Sequence, residues 1–295
     1  MKITQVRLNA TAKINLTLDI TGVRDDGYHE LESVMQTVSL YDTIDIKATR
    51  TERIELYVNA PFVPTDSRNT CYKAAQMYFD ACRRIVPGLE IRIDKNIPSC
   101  AGLGGGSADA AAVLRGLEYI YGKCPVDIYE IAAKIGADVP FCLAGGTCLC
   151  KGIGEIMMPV KYKNPRLRNL HLVIAKNARG LSTPYMFSRY DACKRSDIIR
   201  PNSAKLISAL KSGTVADVAK NVGNVFQNIA IEERSEILQL ISDMKAMGAI
   251  GALMTGSGAA VFGIFDNFYL AQRCAATLKK DGTFAEYARF TNSKR

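Results

Sequence analysis

Apolar and polar positions alternate through most of the first sixty residues. The run from Val6 to Ile20 repeats every second residue and predicts one long strand. A turn at 21–27 follows, and 33–38, 43–47 and 53–58 continue as further strands. Within the first strand Lys13 and Asn15 share a face, and alternation alone makes them an ordinary solvent-facing pair. The period then lengthens. Arg68 to about Arg84 has the apolar spacing of an amphipathic helix, broken by Pro87-Gly88. Leu89-Glu90-Ile91-Arg92-Ile93 returns to strand alternation, and Ala108 to Leu114 is a helix of small residues that lets backbones pack closely.

Between that strand and that helix lies Lys95-Asn96-Ile97-Pro98-Ser99-Cys100-Ala101-Gly102-Leu103-Gly104-Gly105-Gly106-Ser107. Consecutive glycines let a ligand reach backbone N–H groups, and a helix start adds unpaired donors and a positive dipole end. The combination is an anion cradle suited to phosphate. It is neither of the two commonest cradles: no lysine follows Gly106, and Ser107 stands where a dinucleotide fingerprint needs its third glycine. A flexible turn before a buried helix is the plainer alternative, but serine and asparagine would serve for that.

The rest of the chain mixes elements. Pro125 to Ile135 reads as a helix, with the proline near its first turn. Gly136-Ala137-Asp138-Val139-Pro140-Phe141 wedges a carboxylate among apolar neighbours, which makes Asp138 a partly buried candidate base or, more simply, a turn cap. Asn164-Pro165-Arg166 reads as a linker, so residues 1–164 and 165–295 form two domains. Beyond it come a strand at 170–175, a helix entered at Leu181 to Phe187, and a largely helical stretch over 203–247. A hairpin follows around Gly256-Ser257-Gly258, then a helix over 268–278 and a final strand over 283–290. Without a βαβ rhythm, the class is α+β.

Composition narrows the chemistry. The chain has 295 residues, 48% hydrophobic and 23% charged, which are globular values. No apolar run is long enough to span a bilayer, and the N-terminus lacks the apolar core of a signal peptide. A cytoplasmic address, with the nine cysteines as free thiols, is therefore expected. No Cys-x-x-Cys pair occurs, and His29 and His171 lack metal-ligand spacing, so no transition-metal site is expected. The net charge of +9 includes basic runs at Lys161 to Arg168 and at Asn292 to Arg295. They lack interleaved aromatics, which favours small anionic ligands over nucleic acid. Gly27-Tyr28-His29-Glu30 could present two flat rings to a nucleobase, though surface rings beside a turn are commoner.

The motifs are modest singly and specific in order. The Pro98 to Ser107 loop, Asp138-Val139-Pro140-Phe141 and Thr255-Gly256-Ser257-Gly258 together resemble the GHMP kinases. Ala12-Lys13-Ile14-Asn15-Leu16 and Arg24-Asp25-Asp26-Gly27-Tyr28-His29-Glu30-Leu31 resemble one family within them, the 4-diphosphocytidyl-2-C-methyl-D-erythritol kinases of the non-mevalonate isoprenoid route. That resemblance implies an N-terminal ribosomal-S5-like domain, a ferredoxin-like C-terminal domain and an active site between them. It implies transfer of the ATP γ-phosphoryl group to the 2-hydroxyl of a cytidine-diphosphate-linked substrate. Asp138 would be the base and Lys13 its cationic partner. Ala101, Gly102, Leu103, Gly104, Gly105, Gly106 and Ser107 would hold the phosphates, with Ser107 able to meet Mg²⁺ and with Lys95 and Asn69 bordering the nucleotide. Tyr28, His29 and Phe187 would sandwich the cytosine. Asn15 and Thr183 would orient the substrate, and Gly256, Ser257 and Gly258 would close the diphosphate region. The protein would work as a monomer or homodimer, without nucleic acid or membrane.

This sequence departs from the family pattern at Cys100, usually glycine, and at Ala108, usually serine. Asp109 adds an anion close to the proposed phosphate and competes with it unless Mg²⁺ or Lys95 offsets the charge. Cys100 and Ala108 motivate one alternative, a non-catalytic nucleotide-binding paralogue; a GHMP kinase for another small alcohol is a second.

Overall fold

The computed structural model describes residues 4–85, 88–193 and 198–291. The C-terminal basic run, residues 1–3 and the expected helix breaker Pro87 lie outside the described residues. The alternation at the start becomes β1 (Gln5–Val23), which pairs along its length with β2 (His29–Ala48). The turn between them closes where the Arg24 N–H donates to the Tyr28 carbonyl at 2.8 Å. The two expected strands at 33–38 and 43–47 are one strand. The register with β1 shifts between Thr11 and Lys13, so the interruption is a bulge and not a break.

The first sheet runs β3-β4-β2-β1-β8, with β5 (Thr147–Gly152) and β6 (Ile156–Pro159) joined to it through β2. Here β3 is Ile54–Val58 and β4 is Leu89–Asp94; they are parallel, joined by α1 (Thr70–Ala81). One βαβ unit therefore exists in a chain whose pattern suggested none. The helix α2 (Gly105–Tyr121) packs on α1 and on β1. Helix α3 (Ile128–Ile135) begins after Asp127, whose side chain accepts from the Tyr129 N–H, so the expected start at Pro125 is too early. It leads into the short α4 (Val139–Ala144).

The second sheet contains β7 (His171–Lys176), β9 (Gly251–Met254), β10 (Val261–Phe265) and β11 (Phe284–Arg289), in the order β11-β7-β10-β9. Every pairing is antiparallel. Fourth, first, third, second, with helices after the first and third strands, is the ferredoxin-like split βαβ arrangement. Helix α5 (Thr183–Ala192) follows β7. The helical stretch at 203–247 separates into α6 (Ser203–Ser212), α7 (Val215–Lys220), α8 (Gln227–Glu233) and α9 (Glu236–Ala246). Between α7 and α8, β8 (Gly223–Asn224) crosses back to pair in parallel with Thr17 and Leu18 of β1. Helix α10 (Phe268–Lys280) joins β10 to β11.

Both faces of β1 are covered in its middle. Ala12, Ile14 and Leu16 pack in one apolar cluster with Leu172, Ile174, Phe262 and Ile264 of the second sheet. The opposite face carries Lys13, Asn15 and Thr17, and these too are buried, at 5%, 2% and 0% exposure. The solvent-facing assignment of Lys13 and Asn15 is thus wrong: alternation shows which residues share a face, but not whether that face meets water.

Tight packing of α2 on the sheet depends on Gly116. A Cβ there would stand 2.4 Å from Ile46 Cδ1 and 2.9 Å from Leu8 Cδ1, both on fully packed side chains. Gly116→Leu should therefore lower stability by about 1–3 kcal/mol through overpacking. A urea midpoint equal to the parent's would show that α2 does not rest on β1 and β2 this closely.

Candidate active site

Lys13 sits mid-strand with its backbone N–H donating to the Leu103 carbonyl at 3.0 Å, which docks the glycine loop on β1. Its ammonium is almost fully enclosed and must be compensated. Nζ donates to Asn15 Oδ1 at 2.8 Å and lies 3.2 Å from Asp138 Oδ2. Asn15 is held in turn: Nδ2 donates to Ser33 Oγ at 2.7 Å, and Ser33 Oγ donates to the Thr17 carbonyl at 2.6 Å. Asp138 precedes α4 without capping it, so its side chain is committed to Lys13 and to the cavity. At 30% side-chain exposure it remains accessible to a ligand.

The glycine loop reaches α2 through Gly104, which takes φ 68° and offers no side-chain cap. The first N–H groups of α2 therefore stay available to an anion. Two approaches explain the small residues. A Cβ on Gly102 (φ 73°) would stand 2.1 Å from the Thr255 carbonyl oxygen, and one on Gly104 would meet Lys13 Cγ at 2.9 Å. Cys100, where the family favours glycine, also has positive φ, at 49°, and its side chain is exposed. Ala108 is buried within the core cluster of α1, α2 and the sheet, so its missing hydroxyl belongs to the core side of the helix. Ser107 lines the cavity.

Beneath the loop lies a cluster of charges. Lys95 Nζ donates to Asp42 and, at 2.7 Å, to Asp109 Oδ2. Asp42, wholly buried, also accepts from the Asn96 and Ile97 N–H groups at 2.5 and 2.7 Å. Asp109 Oδ1 is buried without a partner. Burial pushes the Asp109 carboxyl well above the usual carboxylate range; Lys95 pulls it down and Asp42 pushes it up. The Lys95 ammonium, which burial would weaken, is nevertheless held above its usual value by Asp109 and Asp42. The anion feared at the helix start is thus paired, and Asp109 is the member of the cluster best placed to carry a proton.

The cavity continues to the ring residues. The His29 ring stacks on Phe187 with centroids 4.7 Å apart, and His29 Nε2 donates to Asp191 Oδ1 at 2.7 Å. Phe187 rests edge-on against Phe226. Tyr28 is 63% exposed on the rim. With His29 and Phe187 already in contact, no third ring fits between them. Across the opening, Thr183 Oγ1 and Ser257 Oγ are 3.1 Å apart.

A single cavity of about 820 Å³ collects Lys13, Asn15, Tyr28, His29, Lys95, the loop from Ala101 to Ser107, Asp138, Thr183, Phe187 and Gly256 to Gly258. Asn69 is the exception. It is a buried cap of α1, accepting from the Cys71 N–H at 2.8 Å and donating to the Pro64 carbonyl at 2.7 Å, and it does not line the cavity. Its neighbour Thr70 does, and donates to the Gly106 carbonyl at 2.8 Å. Sequence reasoning passes over Thr70, Asp42, Ser33 and Asn224, and gives Thr255 a place in a motif but no role of its own. Thr255 Oγ1 accepts from the Asn15 N–H at 2.9 Å, and Asn224 Nδ2 donates to the Met254 and Gly256 carbonyls, each at 2.9 Å. The available signal was a polar side chain inside an apolar run, as with Asp42 between Tyr41 and Ile44.

Comparison with known proteins is consistent along the whole chain. The N-terminal domain model of the GHMP kinases matches residues 69–146, and the C-terminal model matches residues 206–283. A 4-diphosphocytidyl-2-C-methyl-D-erythritol kinase of Caldicellulosiruptor saccharolyticus is 43% identical, covering 92% of each chain. One from Alkaliphilus oremlandii is 42% identical over 91% of this chain and 90% of its own. The crystal structure of a 4-(cytidine 5'-diphospho)-2C-methyl-D-erythritol kinase superposes with a TM-score of 0.81 at 29% identity, covering 98% of this chain and 100% of that one. The chain belongs to the 4-diphosphocytidyl-2-C-methyl-D-erythritol kinase family of the two-domain GHMP kinases.

The buried cluster has a measurable consequence. Above the ordinary carboxylate range the unfolded chain has lost the Asp109 proton while the folded protein retains it. Stability should fall as pH rises from that range toward the raised folded value, and level off beyond it. Asp109→Asn, which keeps an acceptor for Lys95, should flatten that slope in urea midpoints measured from pH 4 to 9. An unchanged slope would place the retained proton elsewhere.

Proposed function

We propose that this chain phosphorylates the 2-hydroxyl of 4-diphosphocytidyl-2-C-methyl-D-erythritol with ATP, in the making of non-mevalonate isoprenoid precursors. The family membership and the shared name of its relatives support that activity. The observation carrying the residue roles is the 3.2 Å pair of Lys13 and Asp138, facing a glycine loop across one cavity.

Asp138 accepts the proton of the 2-hydroxyl as its oxygen bonds the γ-phosphorus and the bond to the departing ADP oxygen breaks. A tertiary alcohol is a weak nucleophile, so a positioned carboxylate matters. Lys13 pairs with that carboxylate at 3.2 Å and offsets the negative charge that builds on the attacking oxygen. Asn15 fixes the Lys13 ammonium through its 2.8 Å hydrogen bond. The N–H groups of the loop and of the first turn of α2 hold the phosphates.

Mg²⁺ fits this site as an ion carried by the nucleotide. Among the described residues no group of three His, Cys, Asp or Glu side chains could hold it, whereas the Ser107 hydroxyl stands in the cavity at the helix start. There it would neutralise charge on the β- and γ-phosphates. In the ring end, the stacked His29–Phe187 pair offers an outer face to the cytosine, with Tyr28 as the second plate. Thr183 and Ser257 orient the diphosphate. The reaction takes place in the cytoplasm on two small anionic ligands. A non-catalytic paralogue or a kinase for a different small alcohol is less favoured, because the relatives share one substrate name and Lys13 and Asp138 are both intact.

Asp138→Asn should lower kcat by about 10²–10⁴-fold while leaving the KM for ATP within a few-fold, read by coupled ADP release. Near-full turnover would remove Asp138 from the chemistry. Tyr28→Ala and Phe187→Ala should each weaken the cytidyl substrate by about 1–3 kcal/mol and leave ATP affinity alone. Equal KM values for the cytidyl substrate in parent and variants would put the base elsewhere.

A further inference from the structure

Away from the cavity, Cys82 and Cys124 face each other with their Sγ atoms 3.3 Å apart. Cys82 ends α1, its N–H donating to the Tyr78 carbonyl at 3.0 Å. Cys124 lies just past α2, its N–H donating to Glu118 Oε1 at 3.3 Å. The surroundings hold the two ends together independently of the sulfurs. Tyr78 Oη donates to the Gly122 carbonyl at 2.6 Å, and Arg84 Nη1 donates to the Tyr121 carbonyl at 3.0 Å. Both thiols are partly buried against the core rather than sealed in it, unlike Cys71, Cys142, Cys148, Cys150 and Cys274.

We propose that Cys82 and Cys124 are a redox-modifiable dithiol, closing to an intramolecular disulfide when the protein meets a low-molecular-weight disulfide such as oxidised glutathione. One protein thiolate attacks a sulfur of the reagent, forming a mixed disulfide and expelling one small thiolate. The second protein thiolate attacks the protein sulfur of that mixed disulfide, expelling the other small thiolate. Two protein thiols are oxidised by two electrons, the reagent disulfide is reduced to two thiols, and the protons pass to the leaving sulfurs. The sulfurs start within about 1.3 Å of bonding distance, so closing the bond asks little of the backbone.

The position gives the bond a purpose distinct from catalysis. Helices α1 and α2 both begin at the phosphate cavity, where Thr70 donates to Gly106. Cys82 and Cys124 mark their far ends, about 18 and 26 Å away at 1.5 Å per residue. A disulfide there staples the scaffold of the cavity without entering it, and it shields two accessible sulfurs from irreversible over-oxidation. Reduction reopens it.

The test uses the full chain, treated with oxidised glutathione, alkylated and analysed by peptide mass spectrometry. The expected result is a linked pair of peptides carrying Cys82 and Cys124, with a mass lower by about 2 Da and restored by reductant. Tm should rise by roughly 5 °C in the oxidised form and return on reduction. Kinase turnover should stay within about two-fold. Cys82→Ser should abolish both the linked peptides and the Tm shift, leaving Cys124 as a glutathione adduct. Separate glutathione adducts on Cys82 and Cys124 in the parent, or a linkage between other cysteines, would overturn the proposal.

Discussion

A cation buried in the middle of a β-strand has to be surrounded by partners before the chain around it can fold. Lys13 is 5% exposed, and the removal of its ammonium from water is offset by Asn15 and Asp138. Each partner then needs support of its own. Ser33 holds Asn15, Thr255 accepts from the Asn15 backbone, and α4 presents Asp138. These residues come from β1, β2, the β9–β10 loop and the α3–α4 corner. Satisfying one ammonium therefore fixes the relative positions of four separate segments.

The same economy joins the two sheets. The glycine loop touches β1 through Leu103 and touches the second sheet's hairpin through Gly102 and Ala101, whose carbonyl accepts from the Ala260 N–H at 3.2 Å. A side chain at Gly102 would collide with the Thr255 backbone. Close backbone approach thus serves two ends: it leaves N–H donors open to an anion and it seats one half of the molecule on the other. The cluster of Asp42, Lys95 and Asp109 underpins the loop from below. Lys95 pairs with both carboxylates, and burial raises the Asp109 carboxyl, so the cluster sets little negative charge beneath the loop.

The candidate site is more legible as a pattern than residue by residue. The glycine density between β4 and α2 points to an anion such as phosphate, because few other roles require so many residues without side chains. Lys13 was misjudged by alternation, since β1 is covered on both faces and its polar face looks inward. Asp109 reads from sequence as a competitor for phosphate unless Mg²⁺ or Lys95 offsets it, and Lys95 does lie against it, fourteen residues away. Asn69 shows the opposite failure: its place just before a helix was the sign of a cap, and capping is what it does. The resemblance groups Tyr28, His29 and Phe187, but the direct stacking of His29 on Phe187 depends on α5 meeting the start of β2, which the sequence does not display.

Phosphoryl transfer to one particular hydroxyl of a cytidyl substrate is the activity proposed for this cavity. Its most direct test is ³¹P NMR of the purified protein incubated with ATP, Mg²⁺ and 4-diphosphocytidyl-2-C-methyl-D-erythritol. Stoichiometric formation of ADP and of one new phosphomonoester resonance on the tertiary 2-hydroxyl is expected, with the cytidine diphosphate linkage intact. A protein that binds both ligands and yields no phosphomonoester, or one that phosphorylates a different hydroxyl, would contradict it.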